Sequence, residues 1–176
     1  EDISKKVSSS IRAKTELGEF LPAAGSIPYG FLRDAVNVTY KVDEETASVV
    51  LKMYTMRSER ASISAVTNYL NDEGIPSPGK LRYLRGMNSD EKMKDSKWSR
   101  STVRKILTDI AYIGHRVHGR KQKETFHLLK KATDSDKWII IENAHPAIVP
   151  PDLFYVVQGV NEEENNKQAS QGKRQD

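Results

Sequence analysis

The segment from residue 98 to residue 107 most narrowly constrains the fold, because apolar and basic side chains alternate along it with the period of a helix. Ser99 is suited to a helix N-cap and directly follows Trp98. The apolar positions recur at helical spacing: Val103, Ile106, Leu107 and Ile110. The remaining positions are short, polar or basic: Arg100, Ser101, Thr102, Arg104 and Lys105. A helix of this kind buries one face only, so it needs supporting helices from elsewhere in the chain.

Two earlier segments have the pattern of supporting helices. The first follows Asp43, which is suited to an N-cap, and is predicted to run to about Ser58. The second follows Ser62 and is predicted to end at Gly74, which suits the left-handed position after a helix. Their apolar residues follow helical spacing: Ala47, Val50, Leu51 and Tyr54 in the first, and Ile63, Val66 and Leu70 in the second.

The remaining segments predict a small β component and one more helix. Strands are predicted over Tyr112–Val117 and Trp138–Glu142, with the lysine-rich residues 120–131 as the tip of a hairpin or wing. A last helix is predicted from Pro151 to Val160, whereas residues 79–97 are predicted to form an irregular surface loop. Three helices followed by a basic two-stranded wing are a winged-helix arrangement, so the predicted fold is mostly α with a small β component.

The two ends of the chain have different patterns. Residues 3–17 predict a helix with a thin apolar stripe, which needs a partner outside this chain to pack on. Residues 18–40 lose this periodicity, and repeated Gly and Pro residues predict an extended connector. Beyond Asn161 the composition turns to Glu, Asn, Gln and Lys, which predicts disorder over residues 161–176.

The positive charge of the chain is concentrated in one region. The formal net charge is +4, yet residues 97–131 contain ten basic and two acidic residues. A smaller block of cations lies near the N-terminus: Lys5, Lys6, Arg12 and Lys14. Clustered cations are typical of proteins that bind a polyanion, although a solvated basic surface has the same composition.

Several classes of site are excluded or disfavoured by the residues present. The chain contains no Cys, which excludes disulfides, Cys-type zinc sites and a Cys nucleophile. His115 and His118 have no nearby acidic partner for a metal, and neither a Gly-x-Ser-x-Gly elbow nor a phosphate-binding loop is present. The sequence therefore predicts no catalytic residue, no metal and no cofactor. It also lacks an apolar run long enough for a membrane helix and a secretion signal, so a cytoplasmic location is expected.

The predicted third helix has the chemistry of a DNA-recognition helix, with double-stranded DNA as the partner. Arginine donates two hydrogen bonds to guanine, and hydroxyl side chains bond to several bases. We therefore predict major-groove contacts for the outer face of this helix: Arg100, Ser101, Thr102, Arg104 and Lys105. Phosphate contacts are predicted for the wing: Arg116, Arg120, Lys121 and Lys123. The alternative interpretation is an ordinary solvated amphipathic helix.

The order of several short motifs resembles the recombinase domain of the large serine recombinases, a family of phage integrases and transposon recombinases. The resemblance covers about residues 3–158, and six blocks in the same order are specific even though each is weak alone. The blocks are Pro28–Phe31, Asp43–Val50, Ile63–Pro78, Trp98–Leu107, Tyr112–Gly114 and Trp138–Gln158.

This resemblance implies an organisation for the whole chain. Residues 1–18 resemble the end of a long linker helix, 19–41 an arm that follows the minor groove, 42–160 the DNA-binding recombinase domain and 161–176 a disordered tail. It adds DNA contacts in the helix and arm: Arg12, Lys14, Pro28, Tyr29 and Gly30. The family's serine nucleophile and zinc module lie outside the matched region, so the chain resembles a DNA-binding fragment that is not itself an enzyme. Self-association is expected only of a full-length recombinase.

Two other interpretations remain open. The first is a stand-alone winged-helix transcription regulator, which the unpartnered helix over residues 3–17 disfavours. The second is a protein-interaction module whose basic face binds an acidic partner; failure to bind any DNA would favour it. The residues do not identify the attachment site or the mobile element.

Overall fold

The computed structural model describes residues 9–10, 13–14, 17, 26–118 and 139–172. The chain divides into two compact units. We call residues 1–48 and 109–148 the hairpin unit, and residues 49–108 and 149–176 the helical unit.

The helical unit contains the helices that the apolar spacing predicts. Helix α1 spans Glu44–Ser58, and its residues from Val49 onward belong to this unit. Helix α2 spans Ile63–Asp72. The Ser62 hydroxyl caps α2 by accepting the Ala65 N–H, and Gly74 ends it in the left-handed conformation at φ 65°. The predicted boundaries of both helices are therefore confirmed.

The segment that the sequence predicts as an irregular loop is folded instead. Helix α3 spans Pro78–Leu84, and a 3-10 helix spans Glu91–Met93. The Ser77 hydroxyl caps α3 by accepting the Lys80 N–H, and Pro78 occupies its first position, where a missing N–H costs nothing. The polar composition hid this helix because Leu81 is its single buried residue. Helix α4 follows at Arg100–Ile106.

The last helix, α5, spans Pro151–Gly172, so the prediction of a disordered tail from residue 161 is wrong through residue 172. The polar half of α5 is held by cations at the end of α1. Arg57 donates hydrogen bonds to Asn161 and Glu164, and Arg60 pairs with Glu163 at 2.7 Å. These partners compensate for the lack of apolar residues, on which the prediction of disorder depended.

The described residues of the hairpin unit form two antiparallel pairs of strands. Strand β1 (Phe31–Asp34) pairs with β2 (Thr39–Val42), and β3 (Arg116–His118) pairs with β4 (Ile139–Ile141). The prediction of an extended arm through residue 41 is therefore wrong for the β1–β2 hairpin. The Asp34 carboxylate stabilises the turn of this hairpin by accepting the N–H groups of Val36 and Asn37.

The first strand of the predicted wing starts later than the sequence indicates. Residues Ile110–Ile113 form a 3-10 helix, whose first turn is capped by the Asp109 carboxylate. Gly114 ends this helix at φ 91° and turns the chain into β3. A β carbon at Gly114 would lie 2.8 Å from the backbone oxygen of His145, so glycine is required there.

Candidate nucleic-acid interface

Helix α4 starts from a residue that is fixed by side-chain and backbone hydrogen bonds. Trp98 is 4% exposed, and its indole N–H donates to the Ile75 carbonyl at 2.9 Å. The Asn71 amide bonds both backbone groups of Trp98: its Nδ2 donates to the carbonyl at 3.1 Å, and its Oδ1 accepts the N–H at 3.0 Å. Ser99 then caps α4 by accepting the Thr102 N–H, as the sequence predicts.

The C-terminal end of α4 is fixed by two further side chains. The Tyr54 hydroxyl donates to the Ile106 carbonyl at 2.7 Å, and the Gln158 amide donates to the Leu107 carbonyl at 2.7 Å. Both donors are buried within the helical unit. These bonds satisfy carbonyl groups that a helix end leaves without intrahelical partners. Helix α4 is therefore held at both ends, and its rotation about its own axis is set by the buried side chains between them.

The two faces of α4 differ as the apolar spacing predicts. Val103 and Ile106 are buried on the inner face. The cations Arg100, Arg104 and Lys105 are exposed, and none of them forms an ion pair with another residue of the described ranges. Two carboxylates of α5 pair with other arginines: Glu164 with Arg57 and Glu163 with Arg60. The outer face of α4 therefore carries positive charge that the described residues do not neutralise.

The hydroxyl groups on the first turn of α4 form a small network. The Ser99 hydroxyl shares hydrogen bonds of 2.9 Å with the hydroxyls of Ser101 and Thr102. Ser101 is exposed and Thr102 is half-buried. Because each hydroxyl has further acceptor or donor capacity, this network leaves room for a bond to an outside polar group.

A family model described as Recombinase matches residues 44–164, which is more than half of the chain. The chain belongs to the Recombinase family. The resemblance seen in the sequence is therefore confirmed, and the matched range includes helices α1 to α4 and the first part of α5.

Two relatives place this Recombinase region within longer proteins. The uncharacterized protein YbcK of Escherichia coli (strain K12) is 24% identical over 140 residues, which cover 77% of this chain and 22% of YbcK. The crystal structure of an LSR–DNA complex (LSR, large serine recombinase) has a TM-score of 0.57 and 17% identity, and it covers 91% of this chain and 38% of that chain. The second match shows a shared fold. The chain spans less than half the length of either relative.

The cations predicted for the wing of this Recombinase-family chain divide into two groups. Arg116 is only 7% exposed, and its guanidinium lies 5.8 Å from the centre of the Tyr40 ring. Its Nη1 atom is buried and has no hydrogen-bond partner among the described residues. A phosphate contact needs an exposed guanidinium, so the prediction for Arg116 is wrong in this structure. Arg120, Lys121 and Lys123 lie outside the described residues.

The residues predicted for the arm and linker helix have mixed outcomes. Lys14 is exposed and helical, whereas Arg12 lies outside the described residues. Pro28 and Tyr29 are half-buried; the Tyr29 carbonyl accepts the Tyr112 hydroxyl at 2.8 Å. Gly30 is buried at φ 96°, and its carbonyl accepts the Asp43 N–H at 2.8 Å. Gly30 therefore serves the turn into β1 and is not presented to a ligand.

The hairpin unit contains a buried group of titratable and aromatic side chains that sequence reasoning missed. His145 is 8% exposed, and its Nε2 atom donates to the Ala111 carbonyl at 2.7 Å. Its ring lies 4.8 Å from those of both Phe31 and Tyr40. Burial lowers the pKa of His145 and raises that of Tyr40. Phe31 and Tyr40 lie in or at the end of the segment that the sequence predicts as an extended connector, and nothing in its spacing indicated that they would surround a histidine.

The residues of the described ranges include neither a metal-binding cluster nor a membrane-spanning helix. Those residues contain no group of three or more His, Cys, Asp or Glu side chains arranged to hold a metal ion. Among them, no helix is both long and apolar enough to span a membrane.

Proposed function

We propose that this chain is a DNA-binding region of a serine site-specific recombinase and that α4 contacts the bases of one recombination half-site in the major groove. The observation that carries the proposal is the outer face of α4, where Arg100, Arg104 and Lys105 are exposed and form no ion pair with any described residue, above an inner face that is fixed by packing. Membership of the Recombinase family and the DNA bound in the LSR complex support double-stranded DNA as the partner.

The residues of α4 have distinct roles in this proposal. Arg100 and Arg104 donate to guanine, because guanidinium geometry matches its two major-groove acceptors. Ser101 and Thr102 bond to bases through the hydroxyl network of the first turn, and Lys105 contacts phosphate. The residues predicted in the arm, linker helix and wing, apart from Gly30 and Arg116, remain candidates for backbone contacts: Arg12, Lys14, Pro28, Tyr29, Arg120, Lys121 and Lys123.

Strand cleavage and religation by the parent recombinase are assigned to residues outside this chain. Within the proposal, this region supplies affinity and site selection only. Arg57 and Arg60 are excluded from DNA contact because their guanidiniums bond to carboxylates of α5.

The test is selection of bound sequences from a pool of randomised duplexes, followed by footprinting and binding titrations on the selected duplex. Arg100→Ala and Arg104→Ala should each lower affinity by about 1–3 kcal/mol and relax the preference at one base pair. Arg60→Ala is the matched control, since it removes an exposed arginine of the same unit that is already paired.

Three other outcomes would contradict parts of the proposal. Equal affinity for every duplex would remove base recognition. Equal losses in Arg60→Ala and Arg104→Ala would mean that general charge, not α4, carries binding. A chain that binds no duplex at low salt but binds an acidic protein tightly would be an interaction module instead.

A further inference from the structure

The segment between α2 and α4 is a folded excursion whose two ends are tied together. The Ser77 hydroxyl donates to the Ser96 carbonyl at 2.9 Å and lies 3.1 Å from the Ser96 hydroxyl. One residue beyond Lys97, Trp98 is bonded to Ile75 and Asn71, which precede the excursion. We define the excursion as residues 77–97.

The interior of the excursion is packed. A β carbon at Gly79 would lie 3.0 Å from the Ser96 hydroxyl and 3.1 Å from the Met93 sulfur, so α3 and the 3-10 helix approach closely there. The Tyr83 hydroxyl donates to the Glu91 carboxylate at 2.8 Å, and Leu81 is buried. Because its shape is set by internal contacts, the excursion loses little conformational entropy when it binds a partner.

The excursion ends at the N-terminus of α4. Lys97 lies two residues before the Ser99 cap, and the pinned Trp98 fixes this approach. In helix-turn-helix proteins the N-terminal residues of the recognition helix contact base edges in the major groove. Phosphates border that groove on both sides, so a rigid element attached at this end of α4 is placed next to the DNA backbone.

The charges of the excursion favour such a neighbour. Lys92, Lys94 and Lys97 are exposed, and none of them pairs with an acidic residue in the described ranges. Two nearby carboxylates are used internally: Asp90 accepts the Lys92 N–H, and Glu91 accepts the Tyr83 hydroxyl.

With α4, these lysines form a run of exposed cations. From residue 92 to residue 105 the chain contains a single acidic side chain, Asp95, and six basic ones. The basic residues of this run are all exposed: Lys92, Lys94, Lys97, Arg100, Arg104 and Lys105.

We propose that the excursion is a second DNA-contacting element, in which Lys92, Lys94 and Lys97 bind backbone phosphates beside the groove that α4 enters. This inference rests on the proposed function. A lysine ammonium binds phosphate as a point charge without selecting a base, so the excursion adds affinity and fixes the orientation of α4, while α4 supplies base recognition.

The test measures the dependence of affinity on salt. The intact chain and the combined variant Lys92→Gln, Lys94→Gln, Lys97→Gln are titrated at several salt concentrations against a labelled duplex of about 30 base pairs, roughly three helical turns. Each lost phosphate contact should lower the slope of log affinity against log salt by about 0.9, so three should lower it by about 2 to 3. Affinity at about 0.1 M salt should fall roughly 10- to 100-fold, with base preference unchanged.

Two matched variants separate this effect from loss of charge or fold. The combined variant Lys52→Gln, Arg60→Gln, Lys167→Gln removes the same charge from exposed positions outside the proposed DNA contacts and should keep the intact slope. Replacing the three excursion lysines by arginine should retain the slope, since the cations remain. Thermal unfolding of all variants should coincide because these side chains are exposed.

Each result has a defined consequence. Equal slopes for the excursion variant and its charge-matched control would overturn the inference, and the proposed function would stand if Arg104→Ala still weakened binding. A change of base preference in the excursion variant would also overturn it, because phosphate contacts carry no base information. If the intact chain binds no duplex, both this inference and the proposed function fail.

Discussion

The two compact units treat their buried arginines differently. In the helical unit, Arg57 donates from all three of its guanidinium nitrogens, to Asn161, Glu164 and the Ala61 carbonyl. In the hairpin unit, Arg116 is equally withdrawn from water, but its Nη1 atom has no hydrogen-bond partner in the described ranges. Among the described residues, buried polar atoms without a partner occur in both units, including Nδ1 of His145 in the hairpin unit and Nδ2 of Asn161 in the helical unit, but the buried cation lacks one only at Arg116.

The two units therefore differ in how completely their buried arginine is hydrogen-bonded by the described residues. The helical unit neutralises its interior cation and leaves the exposed face of α4 free for binding, so substitutions on that face should change affinity without changing stability. In the hairpin unit, Arg116 and His145 lie among aromatic rings with polar atoms that the described residues leave without a hydrogen bond, which costs free energy. Substitutions of its buried polar residues Arg116 and His145 should therefore change stability and pH dependence before they change binding.

The largest expected effect is the loss of stability when Trp98, which lies directly before the N-cap of α4, is replaced. Trp98→Ala should lower the free energy of unfolding by about 3–5 kcal/mol, because it empties a buried site and removes the indole hydrogen bond to Ile75. Urea denaturation measures the change. Trp98→Phe, which keeps most of the ring volume, should lose less than half as much. A loss below 1 kcal/mol, roughly the effect of an ordinary surface substitution, would contradict the prediction.

A pair of glycine substitutions compares the backbone turns of the two units. Gly114→Ala should cost about 3 kcal/mol, because a left-handed alanine is strained and its β carbon meets the His145 backbone oxygen. Gly74→Ala should cost about 1 kcal/mol, since it has the same strain but open space around the β carbon. The stability losses of the two variants are compared from their denaturation midpoints. Equal losses would mean that backbone strain alone decides both positions.

The sequence predicted the features that depend on local periodicity and capping. Helices α1, α2 and α4, with Ser99 as the cap of α4, followed from apolar spacing and from side chains that satisfy backbone groups. Helix α3 was missed because a single buried leucine leaves no period. The polar half of α5 was missed because its stability comes from Arg57, about a hundred residues earlier in the chain.

The same distinction between local and long-range information applies to the candidate site. The exposed face of α4 was predicted because a helix repeats every 3.6 residues, so buried and exposed positions are distinguishable. Arg116 was misassigned because a three-residue strand gives no reliable alternation, and the side chains that enclose it come from distant parts of the sequence. Charge counted along the chain identifies cations but not their burial.

A matched pair of arginine substitutions sharpens the comparison for binding. Under the proposed function, Arg104→Met should weaken binding to the selected duplex by about 1–3 kcal/mol and leave the free energy of unfolding unchanged. Arg116→Met should leave binding unchanged and raise the free energy of unfolding by about 1 kcal/mol, because it removes a buried donor that has no partner among the described residues while keeping an apolar chain. DNA titrations measure the affinity of each variant, and denaturation measures its free energy of unfolding. Weaker binding by Arg116→Met with unchanged stability would reverse the assignment.

The smallest expected effect is a pH dependence that belongs to the hairpin unit. Burial is the main cause that lowers the pKa of His145 below its ordinary value of 6.5; the hydrogen bond to the Ala111 carbonyl opposes this lowering, and the positive charge of Arg116 adds to it. The unfolded chain therefore takes up this proton at a higher pH than the folded chain. Stability should be fully present above about pH 6.5 and should fall as the pH drops from there through the folded pKa.

Denaturation between about pH 7.5 and pH 5, the ordinary range of histidine titration, measures this dependence. His145→Gln keeps an N–H group that can donate to Ala111 but cannot be protonated, so its stability should vary less over the same range. The exposed carboxylate of Glu163 titrates lower, because its hydrogen bond to Arg60 lowers its pKa, and it contributes little in this window. If His145→Gln and the intact chain lose stability in parallel, the pH dependence arises elsewhere, and the contrast between the two units reduces to the burial of Arg116.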